Sequence, residues 1–289
     1  MTPRRAAAAL LGLLALAGGC GGAAPVAAPE ATTAPSPTPT PTFTFTFTPT
    51  PTPAPGPPPT EMPVVLHGPR TAKRVALTFD ADMTTGMRAR LRDGRQDSYY
   101  NADLIAVLRR LHVPATLFLT GMWMQEYPDV TRDLAADPLF ELGTHSQSHR
   151  GFTADCYGLG AVPPGEMLAE VTEPVRILAG LDDHPTRWFR FPGGCYDARA
   201  LRRTAAAGVT AIGTDLAGGD GHAPSARAIV DTVLGAVRPG AIVTMHMHGG
   251  PVVPLTDEAV ALLVPALRAR GYELVTVTDL LAPDRSPPG

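Results

Sequence analysis

Between Arg74 and Val277, short runs of β-branched and aromatic residues alternate with longer apolar patterns of helical period, and nothing else in the chain restricts its fold as strongly. Seven runs read as strands: Arg74–Phe79, Ala115–Leu119, Phe140–Gly143, Trp188–Phe191, Val209–Thr214, Ala241–His246 and Tyr272–Val277. Helical patterns separate them at Asn101–Leu111, Pro128–Ala136, Gly165–Leu181, Ala198–Gly208, Ser225–Val237 and Thr256–Gly271. Asn101 and Pro128 stand where helices start, and Gly208 and Gly271 where they stop. Pro174 and Pro265 fall inside two of the patterns and are expected to kink them. Strict alternation brings each strand back parallel to the last, and seven units predict a closed or nearly closed α/β barrel. No glycine fingerprint follows the first strand, which disfavours a dinucleotide-binding sheet.

This pattern begins only after residue 60. Arg4 and Arg5 precede a small apolar segment, Ala6–Ala17, and the string AGGC ends at Cys20, so residues 1–19 are expected to be a signal peptide. A cysteine at that place resembles the lipobox of bacterial lipoproteins and implies a lipidated Cys20 on the outer face of the cell membrane. A plainly secreted chain is the alternative, because the segment is too short and too rich in Ala and Gly to span a bilayer well. Residues 20–60 are dominated by Pro and Thr and can build no core. They read as a disordered lipid-anchored stalk that, at ~3.1 Å per residue, reaches on the order of 100 Å. The folded domain is placed at 61–284, with 285–289 a tail. Arg4, Arg5 and Glu30 are the charged residues before it, so 22 of the 24 basic and 26 of the 27 acidic residues lie beyond them, a net charge of −4. That balance argues against nucleic acid and against a basic membrane-binding face. A single domain of this size is expected to act as a monomer.

The polar residues fall into place on this frame. Asp80 and Asp82 follow the first strand, His145 and His149 the third, and Arg190 closes the fourth. Asp215 and Asp220 follow the fifth strand, and His246 ends the sixth. Catalytic groups of such barrels gather at the C-terminal strand ends, so five loops would aim polar side chains at one mouth. Singly, each residue also has a plain structural reading. His145 and His149, four apart on a helical turn capped by Thr144 and ended by Gly151, could turn both imidazoles toward one metal. Arg190 could be an ordinary rim ion pair, and Asp215 and Asp220 turn formers. Of His246 and His248, one is expected to face the mouth and the other away. His67, His112, His184 and His222 have no partner by spacing.

Together these residues resemble the polysaccharide deacetylase family, the NodB homology domain of carbohydrate esterase family four. TFDAD stands for its first motif, HSQSH for its His-x-x-x-His metal motif, RFPGG for Arg-x-Pro, LAGGDG for the fourth and IVTMH for the last. They occur in the family's order over about Lys73 to Leu281. The resemblance implies a distorted (β/α)7 barrel that hydrolyses the acetamide of N-acetylated sugars or, less often, an acetyl ester. It also implies a divalent metal on His145, His149 and a carboxylate, zinc first, with cobalt, manganese or nickel as alternatives. Three protein ligands leave room for water and substrate, the arrangement of a catalytic rather than a structural site. Asp80 would be the general base, oriented and kept ionised by Arg190. His246, held by Asp220 or Asp215, would protonate the leaving amine. An amide of Gly193 or Gly194 would meet the oxyanion.

Three departures from the family's pattern carry consequences. The usual FDDG is FDAD here, so Ala81 holds the place of the metal carboxylate. Residues two apart on a strand share a face, which assigns Asp80 as base and Asp82 as metal ligand. The reverse is that Asp80 binds metal and Asp82 is a turn residue. Gly221 replaces the fourth motif's Trp, and Gly193 the Tyr after Arg-x-Pro. Both changes are expected to widen the groove. With an anchor and a stalk, a wide groove points to a cell-wall polymer: peptidoglycan N-acetylglucosamine first, then N-acetylmuramic acid, chitin-like oligomers and acetylated xylan. A non-catalytic wall-binding lipoprotein and a small-amide hydrolase are the rival readings. Cys156 and Cys195 follow the His and Arg-Pro motifs, so a disulfide is expected at the mouth, two free thiols being the alternative.

Overall fold

The computed structural model describes residues 59–248 and 255–283. The expected signal peptide, Cys20, nearly all of the stalk and the tail lie outside the described residues. The strands are β1 Val64–Val65, β2 Arg74–Ala81, β3 Ala115–Leu119, β4 Phe140–Thr144, β5 Trp188–Phe189, β6 Thr210–Ile212, β7 Leu216–Ala217, β8 Ala241–His246 and β9 Glu273–Leu274. The helices are α1 Thr85–Arg92, α2 Ala102–Arg110, α3 Gly121–Glu126, α4 Pro128–Ala135, α5 Met167–Leu178, α6 Ala198–Thr204, α7 Ala226–Ala236, α8 Thr256–Ala269 and α9 Val277–Leu281. Every strand pair is parallel, in the order β1-β6-β5-β4-β3-β2-β8-β7, with β9 joined to the start of β2. This is the curled sheet of a distorted β/α barrel, with β1 and β7 at the two ends of the path.

Local chemistry explains most boundaries. Asn101 accepts from the Leu104 amide at 2.9 Å and so starts α2. Thr276 caps α9 in the same way, and this cap cuts the expected strand Tyr272–Val277 down to β9. β1 and β7, two residues each, are too short to leave a periodic signal and were not foreseen. Pro174 and Pro265, expected to kink their helices, lie inside α5 and α8, each a single element.

The alternation along β2 divides the core. Val75, Leu77, Phe79, Ala81 and Met83 pack outward with the buried faces of α2 and α8. Ala76 turns the other way, into an interior cluster with Phe118, Ile212 and Ile242. Burying one such large side chain stabilises by about 1.5–3 kcal/mol, so a one-residue slip of β2, which would reverse every side chain, is strongly disfavoured. The register therefore commits Thr78, Asp80 and Asp82 to the interior.

Candidate functional site

Asp80 is the seventh residue of β2, and in register it stands beside Phe118 of β3 and His246 of β8. Its Oδ1 accepts from Arg190 Nη1 at 2.7 Å. Arg190 follows β5, is 3 % exposed, donates from Nε to the Ile212 carbonyl at 3.1 Å and lies 4.0 Å over the Phe118 ring. Three contacts on a buried guanidinium fix its direction, and through it that of Asp80.

Asp82, one residue beyond β2, returns to the same side. Its Oδ1 lies 3.5 Å from His145 Nε2 and 3.2 Å from His149 Nε2, while Asp80 Oδ2 is 3.7 Å from His145 Nε2. Asp82, His145 and His149 offer donor atoms within 4.8 Å of one another, the only such trio among the described residues. His145 Nδ1 is taken by the Arg190 carbonyl at 2.9 Å, which leaves Nε2 for a cation. Asp82 Oδ1 and His149 Nδ1 are buried with no hydrogen-bond partner. An orphaned carboxylate oxygen facing two imidazole nitrogens is a donor set that fits a divalent ion. Burial pushes the His145 imidazole down toward its neutral, ligating form. Burial would raise Asp82, but the imidazoles of His149 and His248 outweigh it and hold that carboxyl well below its usual range.

The histidine loop differs from the expected helical turn. Ser146 and His149 have φ of 64° and 58°, left-handed backbone that no α-helix contains. The His149 amide donates to Ser146 Oγ at 3.0 Å, closing the loop instead.

On the neighbouring strand end, His246 Nδ1 meets Asp220 Oδ1 at 2.9 Å, and the His246 amide donates to Asp220 Oδ2 at 2.7 Å. Thr256 adds a third bond to Asp220, at 2.7 Å. Burial opposes charge on the imidazole, but the Asp220 hydrogen bond and the nearby Asp82 and Asp80 push His246 up to about 10. Its side chain is 31 % exposed, so solvent tempers the effect. Asp215 plays no part here: its amide donates to the Ile242 carbonyl at 3.1 Å, four residues before His246 on β8, and Arg70 grips its carboxylate through two bonds of 2.9 and 2.7 Å. His248, expected to be turned away from His246, shares its face, because residues two apart point the same way. Met245 and Met247 take the outer core, and His248 Nδ1 comes within 3.4 Å of Asp82 Oδ2.

Cys156 and Cys195 are joined by a disulfide with Cα atoms 5.9 Å apart. It ties the loop after the histidines to the Pro192–Gly194 turn. Gly194 donates its amide to the Phe191 carbonyl at 2.9 Å, which removes it as the expected oxyanion donor. Nor does Gly193 widen the groove: a Cβ there would lie 2.9 Å from Cys156 Sγ and 3.2 Å from the Tyr157 ring. At Gly221, by contrast, a Cβ would meet nothing within 4 Å. Sequence reasoning passed over Glu170 and Thr256; the only signal for Glu170 was an acid on the buried face of α5.

Asp80 with Arg190, His246 with Asp220 and the candidate donor trio Asp82, His145 and His149 gather at one mouth of a curled parallel sheet, the edge at which α/β-barrel enzymes carry their active sites. A sequence profile for polysaccharide deacetylase matches residues 67–212. A chitooligosaccharide deacetylase from Bradyrhizobium sp. (strain ANU 289) is 30% identical, over 65% of this chain and 87% of its own. A peptidoglycan-N-acetylglucosamine deacetylase from Bacillus cereus is 26% identical over 74% and 90%. The crystal structure of the peptidoglycan N-acetylglucosamine deacetylase Bc1960 superposes with a TM-score of 0.64 at 21% identity, covering 78% of this chain and 96% of that one. The chain belongs to the polysaccharide deacetylase family.

Proposed function

We propose that the protein removes acetyl groups from N-acetylated sugars of a cell-wall polysaccharide, peptidoglycan first, while anchored through Cys20 to the outer face of the cell membrane. The observation that carries the chemistry is that Asp80 and His246 are register neighbours on β2 and β8, each with its own partner, Arg190 and Asp220. Parallel neighbours lie about 4.8 Å apart, so a base and an acid can flank one amide.

When bound by Asp82, His145 and His149, a divalent cation supplies a Lewis acid that eases deprotonation of the attacking water. Asp80 Oδ2 accepts that proton while Arg190 keeps Oδ1 in place. The water oxygen bonds to the acetyl carbon, and the Gly193 amide faces the charge that grows on the carbonyl oxygen. His246 gives its Nε2 proton to the sugar nitrogen as the carbon–nitrogen bond breaks, leaving acetate and a free amine. The Asp220 contact on Nδ1 keeps the imidazole protonated for that step. The open space at Gly221 and the names of the relatives support a polymer substrate.

The test is acetate release by the soluble domain from purified peptidoglycan and from chitin oligomers, with Zn²⁺ or Co²⁺ added. Release from peptidoglycan is expected. Release from chitin oligomers alone would move the substrate class, and none from either by metal-loaded protein would favour the non-catalytic wall-binding reading.

A further inference from the structure

The two imidazoles of the cation site are aimed by different means. His145 is oriented directly, by the Arg190 carbonyl on its Nδ1. His149 has no partner on Nδ1, so its direction follows from its backbone, which sits in left-handed space at φ 58°. Something must hold that backbone. Ser146 Oγ takes the His149 amide, and the Gly121 and Met122 amides of α3 hold the Ser146 and Gln147 carbonyls. The amides of Gln147 and Ser148 between them both go to one residue of α5, Glu170, itself 6 % exposed. Its Oε2 accepts from the amides of Gln147 at 3.1 Å and Ser148 at 3.0 Å, and its Oε1 accepts from Ser148 Oγ at 2.7 Å. Arg150 Nη2 also reaches Oε1, at 2.9 Å.

The backbone of Glu170 joins in as well. Its carbonyl would ordinarily accept from the amide four residues on, but that residue is Pro174, which has no N–H. The carbonyl accepts from the Gln147 amide instead, at 2.8 Å. A proline inside α5 thus frees the acceptor that the histidine loop uses.

We propose that Glu170 and Pro174 are positioning residues of the cation site: together they clamp Gln147 and Ser148 and thereby aim His149. Neither residue touches cation or substrate. The inference rests on the reading of Asp82, His145 and His149 as metal ligands. It separates stability from affinity at Pro174. Ala is a better helix former than Pro, so a proline with no further role predicts that Pro174→Ala raises the melting temperature and leaves the site alone. Under the clamp, the new Ala N–H competes with Gln147 for the Glu170 carbonyl, and the loop loosens while the helix firms.

The experiment titrates Co²⁺ into metal-free full chain, followed by its visible absorption, for wild type, Pro174→Ala, Glu170→Gln and His149→Ala, with melting curves and amide exchange at Gln147 recorded on the same metal-free samples. Pro174→Ala is expected to melt no lower than wild type, exchange the Gln147 amide faster and bind Co²⁺ about tenfold more weakly. Glu170→Gln is expected to lose about 10–100-fold, the range for partners behind a ligand. Binding by Pro174→Ala and Glu170→Gln as tight as wild type, while His149→Ala binds weakly, overturns the clamp alone. Failure of wild type to bind Co²⁺ overturns the metal reading of the site, and this inference with it.

Discussion

Two acids two residues apart, Asp80 and Asp82, decide what this site can do, and their roles separate by partner. Asp80 has Arg190 on one oxygen, whereas Asp82 has an oxygen with imidazoles around it and no hydrogen bond. Asp82→Asn is therefore expected to weaken metal binding. Asp80→Asn should keep the metal and lose about 10²–10⁴-fold in turnover; metal analysis and kinetics of both variants check the pair, and an empty site in Asp80→Asn would reverse the assignment. Asp220 makes the second residue-scale prediction. His246 titrates at about 10 against 6.5 for a free imidazole. A raised folded value contributes stability that is full below 6.5 and is lost as pH climbs through about 10. Asp220, held low by the same contact despite its burial, contributes above its ordinary 3.8 and loses that contribution on acidification. In metal-free Asp220→Asn, the His246 resonance should titrate closer to 6.5. The decline in denaturation free energy between neutral pH and about 10 should flatten with it; an unchanged His246 titration would show that Asp220 does not hold the imidazole charged.

At the scale of elements, two loops that lack regular structure are built as firmly as the strands. The Cys156–Cys195 bridge closes a separation of 39 residues. On the chain-entropy account, such a bridge stabilises by up to about 4 kcal/mol. Cys156→Ser with Cys195→Ser should lower the urea midpoint accordingly, and thiol titration of the unfolded, unreduced domain should find neither cysteine free. Next to the bridge, Gly193 has φ +60° and Cys156 Sγ 2.9 Å from where a Cβ would stand. Gly193→Ala should cost at least the ~1–2 kcal/mol of a left-handed non-glycine, read in the same melts, and, if its amide is the proposed oxyanion donor, lower turnover as well. The histidine loop was legible as a motif and illegible as a shape. Spacing of four suits a helix, but the loop that carries left-handed Ser146 and His149 is held by α3 on one side and by α5, more than fifteen residues further along the chain, on the other.

For the whole molecule, the remaining prediction concerns the segment before the domain. If Cys20 carries lipid, wild type should partition into the detergent phase of a two-phase extraction and Cys20→Ser into the aqueous phase; equal partitioning would mean a plainly secreted chain. Within the domain, the alternation of strand and helix, the cap at Asn101 and the end-of-strand positions of Asp80, His145, Arg190 and His246 were readable in sequence, because period and capping are local properties. The side of the sheet was readable too, since Val75, Leu77 and Phe79 fix β2 and parity then carries Asp80 and Asp82 to the interior. What only the tertiary structure decided was the choice among residues that sequence leaves equivalent. Asp220 rather than Asp215 holds His246, because pairing of β7 with β8 sets Asp215 level with Ile242, four residues short of His246, where Arg70 takes its carboxylate. The Gly194 amide is spent on the Phe191 carbonyl, which the sequence did not show. Each choice is set by how strands and loops pair once the sheet curls, and pairing of that kind leaves no period and no spacing in the chain.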